Sequence, residues 1–253
     1  MLCEERRRAI VELVQAEGRA LVGDLAKHFH TSVITIRKDL EFLHHQGRLE
    51  RTHGGALPLK TGALKDSPLQ EKEHLHRQEK LRIANAATRM INEGQVIILD
   101  SGTTTTWIAR ACRNFEHLTI ITNATNIATE LADTRVEVIL TGGVLRKNSF
   151  SLVGPLAEES LRKLSADLLF LGVDGFDVRY GLTTPNLLEA RVNRAMAEAA
   201  RRTVVVCDSS KFKQRSLAQI LPTSEVHETI TDKNIPKDDL QALRDADVLV
   251  TLV

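Results

Sequence analysis

The chain has 253 residues, a net charge of +1 and 42% hydrophobic residues. This length permits one large domain or two, and the composition is that of an ordinary globular protein, neither disordered nor basic throughout. Any surface for nucleic acid must therefore be local, and the first sixty residues have a slight excess of basic side chains, with ten Lys and Arg against eight Asp and Glu.

Cysteine usage and hydropathy exclude further classes. Cys3, Cys112 and Cys207 are odd in number, far apart and in no C-x-x-C pair, so neither a disulfide framework nor a zinc site is expected. No apolar run approaches the roughly 20 residues needed to cross a bilayer, and the start lacks the apolar core of a signal peptide. The sequence predicts a reduced, cytoplasmic protein with no metal, no cofactor and no membrane partner.

The first sixty residues predict three short helices. The first runs from about residue 4 to 16, with Ile10, Leu13 and Val14 on one face. The next two carry apolar residues at the spacing of a single buried face, namely Val22, Leu25, Ala26 and Phe29 in one and Val33, Ile36, Leu40 and Leu43 in the other. A tight turn at His30–Ser32 joins these two helices, a pattern typical of helix-turn-helix.

The third helix predicts a DNA-contacting face opposite Ile36 and Leu40. Hydroxyls and an apolar side chain suit base edges, and cations suit phosphates. At 100° per residue, this face carries Thr31, Ile34, Thr35, Lys38 and His45, with Arg37 on its flank. The alternative is a solvated face of mixed composition, which would leave an exposed Ile34 unexplained.

Residues 48–57 predict two short strands around a turn. Such a wing would place Arg48, Arg51 and His53 near the DNA backbone or minor groove. Together, the helices and the wing favour a winged helix-turn-helix.

These residues resemble the N-terminal domain of the DeoR family of bacterial repressors, above all in the T-I-R-K-D-L helix at 35–40 and the R-x-H-G-G wing at 51–55. In that family the T-I-R-x-D-L helix enters the major groove. The resemblance therefore implies DNA contacts by Ser32, Thr35, Arg37 and Lys38.

A linker is predicted at 58–70, because two prolines and Gly62 interrupt the pattern there and no apolar face repeats. The expected division is a winged helix-turn-helix at 1–57, the linker, and an effector and oligomerisation domain at 71–253. Residues 71–94 predict one helix with Leu81, Ala84 and Thr88 on one face.

Seven apolar runs follow, separated mostly by segments that can be helical: VIILD, LTIITN, VEVILTGG, LLFLGVDG, TVVVCDSS, HETITD and DVLVTLV. This alternation predicts a mainly parallel α/β sheet. Most runs end in small or functional residues. Ligands bind outside the carboxyl ends of such strands, so these ends are expected to meet in one pocket. They are Asp100, Ser101 and Gly102; Thr122 and Asn123; Thr141, Gly142 and Gly143; Asp174 and Gly175; and Asp208 to Lys211.

The first run ends in SGTTTT and continues into a predicted helix. A Ser/Gly/Thr loop at a helix N-terminus can hold an anion through unpaired N–H groups. Capping by Ser101 or Thr103 is the alternative.

The loop chemistry indicates an anionic polyol, such as a sugar phosphate. The expected donors are Ser101, Thr103, Thr104, Thr105 and Lys211, and the expected acceptors of sugar hydroxyls are Asp100, Asp174 and Glu189. A capping or surface role is the alternative for Lys211, and Arg146 is expected in a solvated loop.

This region looks like the effector domain of the same family, in LDSGTTT, LTGGVLRKNSFSLVGPLAEESL and VVVCDSSKF. GVDGFD and N-x-x-E-A-R are similar to the N-acetylgalactosamine-type sugar repressors. The resemblance implies a fold related to ribose-5-phosphate isomerase and sugar-phosphate deaminases, a sugar-phosphate effector, and a homo-oligomer, dimeric or larger.

Two functions are consistent with these residues. The first is a repressor of a carbohydrate-utilisation operon that responds to a phosphorylated sugar. The second is a sugar-phosphate isomerase or deaminase with a regulatory head, in which Asp174 or Asp177 is the general base and Lys211 stabilises charge. The N-terminal pattern favours the first.

Overall fold

The structure is a computed structural model that describes residues 3–58, 63 and 66–253. The chain divides into two compact units, Met1–Thr61 with Glu73–His76, and Gly62–Lys72 with Arg77–Val253. They are called the N-terminal and C-terminal units below. The linker predicted at 58–70 lies partly outside the described residues, since 59–62, 64 and 65 are not among them.

The N-terminal unit has three helices and a small antiparallel sheet of order β1-β3-β2. Its elements are α1 (Cys3–Glu17), β1 (Ala20–Leu21), α2 (Val22–His28), α3 (Val33–His45), β2 (Glu50–Arg51) and β3 (Gly55–Leu57). The three predicted helices and the two-stranded wing are confirmed. Strand β1, which pairs with β3, is an element that the sequence pattern did not indicate.

Local chemistry explains the start of α3 and the closure of the wing. Ser32 caps the helix, because its side chain accepts a hydrogen bond from the Thr35 N–H. In the wing, β3 passes so close to β1 that a Cβ on Gly55 would lie 2.0 Å from the carbonyl oxygen of Ala20. Only glycine fits there, which gives the second glycine of the R-x-H-G-G pattern a structural role.

A buried carboxylate joins α1 to α3. Asp39 accepts hydrogen bonds from Arg6 Nε at 2.6 Å and from Arg7 Nε at 2.9 Å. Burial alone would raise the pKa of Asp39, but the hydrogen bonds from the two arginines outweigh burial and lower this pKa below its usual range. The acid of the T-I-R-K-D-L pattern therefore fastens the exposed helix to the rest of the unit.

The segment predicted as one helix from 71 to 94 forms two, α4 (Leu69–His74) and α5 (Arg77–Thr88). The break lies at His76, whose φ of 51° is incompatible with a continuous right-handed helix. The predicted apolar face of α5 was also displaced. The residues that α5 buries are Lys80, Ile83, Ala84 and Ala87, so Leu81 and Thr88 are at the margin.

The C-terminal unit is built on a seven-stranded parallel sheet, and each of the seven apolar runs supplies one strand. The strands are β4 (Val96–Leu99), β5 (Thr119–Thr122), β6 (Glu137–Leu140), β9 (Ala166–Leu171), β12 (Ala200–Val206), β14 (Glu228–Thr231) and β15 (Leu249–Leu252). Their order across the sheet is β15-β14-β12-β9-β4-β5-β6. The predicted α/β class is confirmed.

Helices cover both faces of this sheet. Alternate residues of one strand enter separate cores: Ile98 packs in the core of one face, and Ile97 and Leu99 pack in the other. Helices α8 (Pro155–Arg162), α9 (Leu187–Ala199) and α10 (Lys237–Asp245) contribute to the core with Ile98. Helices α5, α6 (Thr103–Ala111) and α7 (Thr125–Leu131) contribute to the other.

Two smaller antiparallel sheets lie outside the main one. Strands β7 (Val144–Arg146) and β8 (Ser151–Val153) form a hairpin, and β10 (Gly175–Asp177), β11 (Gly181–Thr184) and β13 (Ala218–Leu221) form a three-stranded sheet. A search of the described residues finds no helix with the length and apolarity that a membrane crossing requires.

Asp39→Asn should destabilise the N-terminal unit by about 2–3 kcal/mol at pH 7, because it leaves two arginines next to a neutral amide. The pKa of Asp39 is lowered on folding, so its stabilisation is present above about pH 4 and is lost as the pH falls below that value. Amide hydrogen exchange of α1 and α3 measures the effect, with Glu12→Gln on the exposed side of α1 as the control. A difference from the control that persists unchanged at pH 2.5 would contradict this role.

Candidate functional site

A cavity of about 730 Å³, counted with its open mouth, lies at the carboxyl end of the parallel sheet. Its walls include residues that follow β4, β9 and β12. From β4, the chain adds β5 and β6 in one direction across the sheet and places β9, β12, β14 and β15 in the other. The loops after β4 and β9 therefore leave the sheet on opposite sides, and the crevice between them is where open α/β sheets bind ligands.

Nine of the twelve residues that the sequence predicted for effector binding line this cavity. They are Asp100, Ser101, Gly102, Thr103, Thr104, Thr105, Asp174, Glu189 and Lys211. The predicted convergence of strand ends thus holds for β4, β9 and β12.

Asn123, Gly142 and Gly143 do not line the cavity. They follow β5 and β6, which continue away from the crevice between β4 and β9. Asn123 is fully buried, and its side-chain nitrogen donates to the Leu152 carbonyl. Gly143 has a φ of 116°, and a Cβ there would lie 2.7 Å from the Val153 oxygen. The two glycines therefore shape the chain before the β7–β8 hairpin.

Helix α6 begins at the cavity wall without a side-chain cap. Its N-cap is Gly102, so capping by Ser101 or Thr103 does not occur. The hydroxyls of Thr105 and Thr106 donate back to the Gly102 carbonyl at 3.0 and 2.7 Å. Thr103, Thr104 and Thr105 of the first turn line the cavity, so the unpaired N–H groups and the positive end of the helix dipole lie at its wall.

Asp174 is the anionic centre of one wall. It accepts a hydrogen bond from Lys72 Nζ at 2.6 Å and one from the Thr184 hydroxyl at 3.2 Å. Burial alone would raise the pKa of Asp174, but the charges of Lys72 and Lys211 outweigh burial and lower it below its usual range. Asp174 is therefore ionised at neutral pH.

Arg146 also lines the cavity, and the expectation that it lies in a solvated loop was wrong. Its side chain is 14% exposed and forms ion pairs with Asp66 and Glu189. Glu189 Oε1 also accepts hydrogen bonds from the hydroxyls of Ser149 and Ser151. The β7–β8 hairpin brings Arg146 and these serines to the N-terminal turn of α9, which carries Glu189.

Asp100 has the opposite electrostatic character. Burial and the nearby carboxylate of Glu189 raise the pKa of Asp100 well above its usual range. A neutral Asp100 both donates and accepts hydrogen bonds, whereas ionised Asp174 only accepts them.

The cavity also contains residues that the sequence reasoning missed. They are Asp66, Leu69, Lys72, Lys80, Asn148, Ser149, Thr184 and Asn193. Thr184 stands at the end of β11 and could have been included on that ground. The others are brought in by contacts distant along the chain, such as that of Lys72 with Asp174, and no local spacing indicates them.

The DNA-reading surface predicted on α3 is exposed as expected. Ile34 is 66% exposed, and Arg37 and Lys38 are also exposed. These three residues surround a shallow depression with the wing residue Arg51, which is ion-paired with Glu41 of α3. His53 is exposed in the turn of the wing.

Two of the side chains predicted to contact DNA, those of Ser32 and Thr35, already form hydrogen bonds at the start of α3. The hydroxyls of Ser32 and Thr35 hydrogen-bond to each other at 2.8 Å, and the Ser32 hydroxyl also caps α3. Thr31 is half-buried, and its N–H donates to the Ala26 carbonyl. The hydrogen-bonding capacity of these side chains toward a partner is therefore smaller than that of Arg37 and Lys38.

No group of three or more His, Cys, Asp or Glu side chains in the described part of the chain is arranged to hold a metal ion. Cys3, Cys112 and Cys207 are free thiols. Burial raises the pKa of Cys112 to about 12, so that this thiol is protonated at neutral pH.

Comparison with known families assigns both units. A DeoR-like helix-turn-helix domain matches residues 6–61, and a DeoR C-terminal sensor domain matches residues 75–233. The chain belongs to the DeoR family of transcriptional regulators.

Curated relatives extend this match over the whole chain. It is 43% identical to a putative aga operon transcriptional repressor of Escherichia coli O157:H7, over 98% of this chain and 93% of the relative. It is 32% identical to the glycerol-3-phosphate regulon repressor of Escherichia coli K12, over 98% of each. Among solved structures, a ribose-5-phosphate isomerase from Methanocaldococcus jannaschii aligns with a TM-score of 0.41 at 17% identity over 54% of each chain.

The protein is a DNA-binding transcriptional regulator of the helix-turn-helix class, and the family of regulators to which it belongs does not favour the alternative of an enzyme. Asp177, one of the two acids considered as a base, lies outside the cavity wall. It accepts hydrogen bonds from Arg215 Nε and from the Arg179 and Tyr180 N–H groups, which is a structural role in the β10–β11 turn.

The opposite pKa directions of the two buried acids predict opposite effects of removing their charge. Asp174→Asn should destabilise the C-terminal unit by about 1–2 kcal/mol at pH 7, because Lys72 loses its partner. Asp100→Asn should leave stability unchanged or higher. Because the pKa of Asp100 is raised on folding, the contribution of Asp100 to stability is fully present below about pH 4. It is lost as the pH rises through the pKa of Asp100 in the folded protein.

Urea unfolding followed by the fluorescence of Trp107, the only tryptophan of the chain, measures both variants. Trp107 lies in α6 and therefore reports on the C-terminal unit. Equal destabilisation by the two substitutions would contradict the assignment of a neutral Asp100.

Proposed function

We propose that this regulator represses a carbohydrate-utilisation operon and that a phosphorylated sugar in the cavity of the C-terminal unit changes its affinity for operator DNA. One observation supports this most directly. An uncapped helix N-terminus and four cationic side chains, Lys72, Lys80, Arg146 and Lys211, belong to one cavity wall in a domain that matches a sensor. Names of relatives that refer to an aga operon and a glycerol-3-phosphate regulon agree with this class.

The proposed phosphate position is the first turn of α6. The N–H groups of Thr103, Thr104 and Thr105 would donate to phosphate oxygens, with Ser101 and Gly102 forming the approach and Lys211 adding charge. Backbone donors and a lysine recognise phosphate without requiring a Walker-type sequence.

The sugar hydroxyls would face the acids of the cavity. Ionised Asp174 accepts hydrogen bonds, the carboxyl oxygens of Glu189 are further acceptors, and a neutral Asp100 also offers a donor. Asp174 is held in place by Thr184, and Glu189 is held by Ser149 and Ser151, so the geometry of these two acceptors is fixed by the protein itself. A preformed set of acceptors reduces the ordering cost of binding a polyol.

The proposed DNA contacts are those of a winged helix-turn-helix. Arg37 and Lys38 would bind phosphates or base edges, Ile34 would contact a thymine methyl, and Arg51 and His53 would bind from the wing. Thr31, Ser32 and Thr35 would contribute at the start of α3. The proposed functional division is residues 1–57 for DNA, a linker at 58–70 and residues 71–253 for the effector.

A homo-oligomer is part of the proposal. Two identical reading helices at a fixed spacing bind two half-sites, so a dimer or tetramer multiplies a modest affinity per helix. The proposed location is the cytoplasm, because the curated relatives are regulators from prokaryotes, whose DNA lies in that compartment.

Lys38→Ala should weaken binding to DNA from upstream of the protein's own operon by about fivefold, equivalent to about 1 kcal/mol, and should reduce the dependence of binding on salt. The exposed Lys237→Ala on α10 is the matched control, since it removes one lysine outside the N-terminal unit. Fluorescence anisotropy at several salt concentrations measures both. An unchanged affinity and salt dependence in Lys38→Ala would remove this residue from the interface.

Lys211→Gln should reduce the affinity for the effector at least about tenfold, because a charge-assisted contact between the half-buried Lys211 and phosphate is lost. A thermal-shift screen of phosphorylated hexoses, pentoses and amino sugars identifies the effector, and the unphosphorylated sugars test the need for phosphate. Thr104→Asp, which places negative charge at the start of α6, should also abolish the response. The control is Lys233→Gln, an exposed lysine outside the cavity wall. Equal stabilisation by phosphorylated and free sugars would contradict the proposed phosphate site.

A further inference from the structure

The segment 66–72, called the strap below, lies in the wall of the sensor cavity. It contributes Asp66, Leu69 and Lys72 to that wall. Two backbone-mediated hydrogen bonds fasten it to the β7–β8 hairpin: the Leu69 N–H donates to the Asn148 carbonyl at 2.8 Å, and Asn148 Nδ2 donates to the Asp66 carbonyl at 2.9 Å. The strap is therefore part of the C-terminal unit in this state, although it stands in the stretch where the sequence predicts a linker.

Ion pairs of opposite polarity hold the two ends of the strap. Asp66 pairs with Arg146, and Lys72 pairs with Asp174. The Asp66 side chain is 27% exposed and that of Arg146 is 14% exposed, so the first pair is shielded but reachable from solvent. At the other end, Lys80 Nζ donates to the Lys72 carbonyl at 2.5 Å, which holds the backbone of the strap as well as its side chain.

The cavity already contains several acidic side chains while the strap is in place. Its wall carries four basic side chains and five carboxyl groups, one of which belongs to Asp66 of the strap. A phosphate carries about −1.5 to −2 at pH 7, so its entry would leave excess negative charge in a partly desolvated site.

We propose that the strap is an autoinhibitory element of the sensor cavity. Asp66 is paired with Arg146, which would otherwise bind an anionic ligand, and the ligand binds by displacing Asp66 from Arg146. This inference rests on the proposed function of the cavity and specifies its regulation. Displacement removes the Asp66 side chain from the site and makes Arg146 available to the ligand, so less negative charge is left beside the entering anion. The Lys72 end stays at the cavity, because a cation is attracted to the entering anion as it is to Asp174.

Along the chain, the strap is connected on both sides to residues of the other unit. Met1–Thr61 precedes it, and Glu73–His76 follows it directly. In that unit, His76 lies close enough to the α3–β2 turn that a Cβ on Gly47 would be 3.4 Å from its Nε2. Lys72, a residue of the sensor cavity, is therefore joined by one peptide bond to a segment that packs with the DNA-reading unit.

The test compares Asp66→Asn with Glu71→Gln in the full-length protein. Both substitutions remove one negative charge from the strap, but Glu71 is exposed and lies outside the cavity wall. Binding of inorganic phosphate is measured by Trp107 fluorescence and by thermal shift, at ionic strength held constant with chloride. Asp66→Asn should bind phosphate at least about fivefold more tightly than the wild type, and Glu71→Gln should match the wild type. Equal affinity in Asp66→Asn and the wild type would overturn the competition.

Hydrogen exchange of the strap tests the same proposal without any ligand. In Asp66→Asn the amides of Leu69 to Lys72 should exchange about tenfold faster than in Glu71→Gln, because one anchor is lost. In the wild type, phosphate should accelerate the same amides. The proposed autoinhibition would be overturned if phosphate slowed the exchange of these amides in the wild type. It would also be overturned if the amides exchanged equally fast in Asp66→Asn and Glu71→Gln without phosphate. Asp66→Ala serves as a second variant if the asparagine protein does not fold.

The two levels of the hypothesis fail differently. If neither the wild type nor Asp66→Asn binds phosphate or any phosphorylated sugar, the anion site itself is refuted, and the autoinhibition with it. If the wild type binds phosphate and Asp66→Asn binds it no more tightly, only the autoinhibition by the strap is refuted, and the proposed sensor function stands.

Discussion

The order of strands in the parallel sheet is the constraint on which the site depends. Parallel pairing places the carboxyl ends of all seven strands at the same end of the sheet. After β4 the chain adds β5 and β6 on one side of that strand, and it then places β9 on the other side. The loops after β4 and β9 diverge and leave a crevice, whereas loops between strands added in one direction pack against their own helices. The start of α6, Asp174 and Lys211 consequently share a cavity, and Asn123 and Gly143 are used for packing instead.

A second constraint is the cost of placing charge in that crevice. Ionised groups away from water require partners, and each strong acid of the cavity has one: Lys72 for Asp174 and Arg146 for Glu189. Asp100 is the exception, because burial favours its neutral form. The cavity is thus polar and internally satisfied before a ligand binds. A ligand must replace these existing contacts with its own. The cavity therefore selects ligands whose groups can replace them.

These constraints also explain how much the sequence could reveal. The seven strands and the winged helix-turn-helix follow from local periodicity, because apolar spacing reports directly on helix and strand faces. The strand order is a long-range property, and without it the five strand ends could not be divided into three that meet and two that do not. Arg146 was misplaced for the same reason: its environment is created by Asp66 and Glu189, 80 and 43 positions away. The break at His76 depends on a backbone angle that no apolar pattern encodes.

The path of the chain suggests why sensing and DNA reading are connected at all. A ligand shifts a conformational equilibrium only as far as its affinities for the two states differ. A cavity formed wholly by the sheet would bind equally well whatever the position of the DNA-reading unit, and occupancy would then carry no information. Here one wall is the strap, which lies between two parts of the other unit along the chain. In the proposed competition, an entering anion repels Asp66 and attracts Lys72, so binding would favour a different path of the strap. The difference in affinity that regulation requires would then arise from the segment that joins the two units.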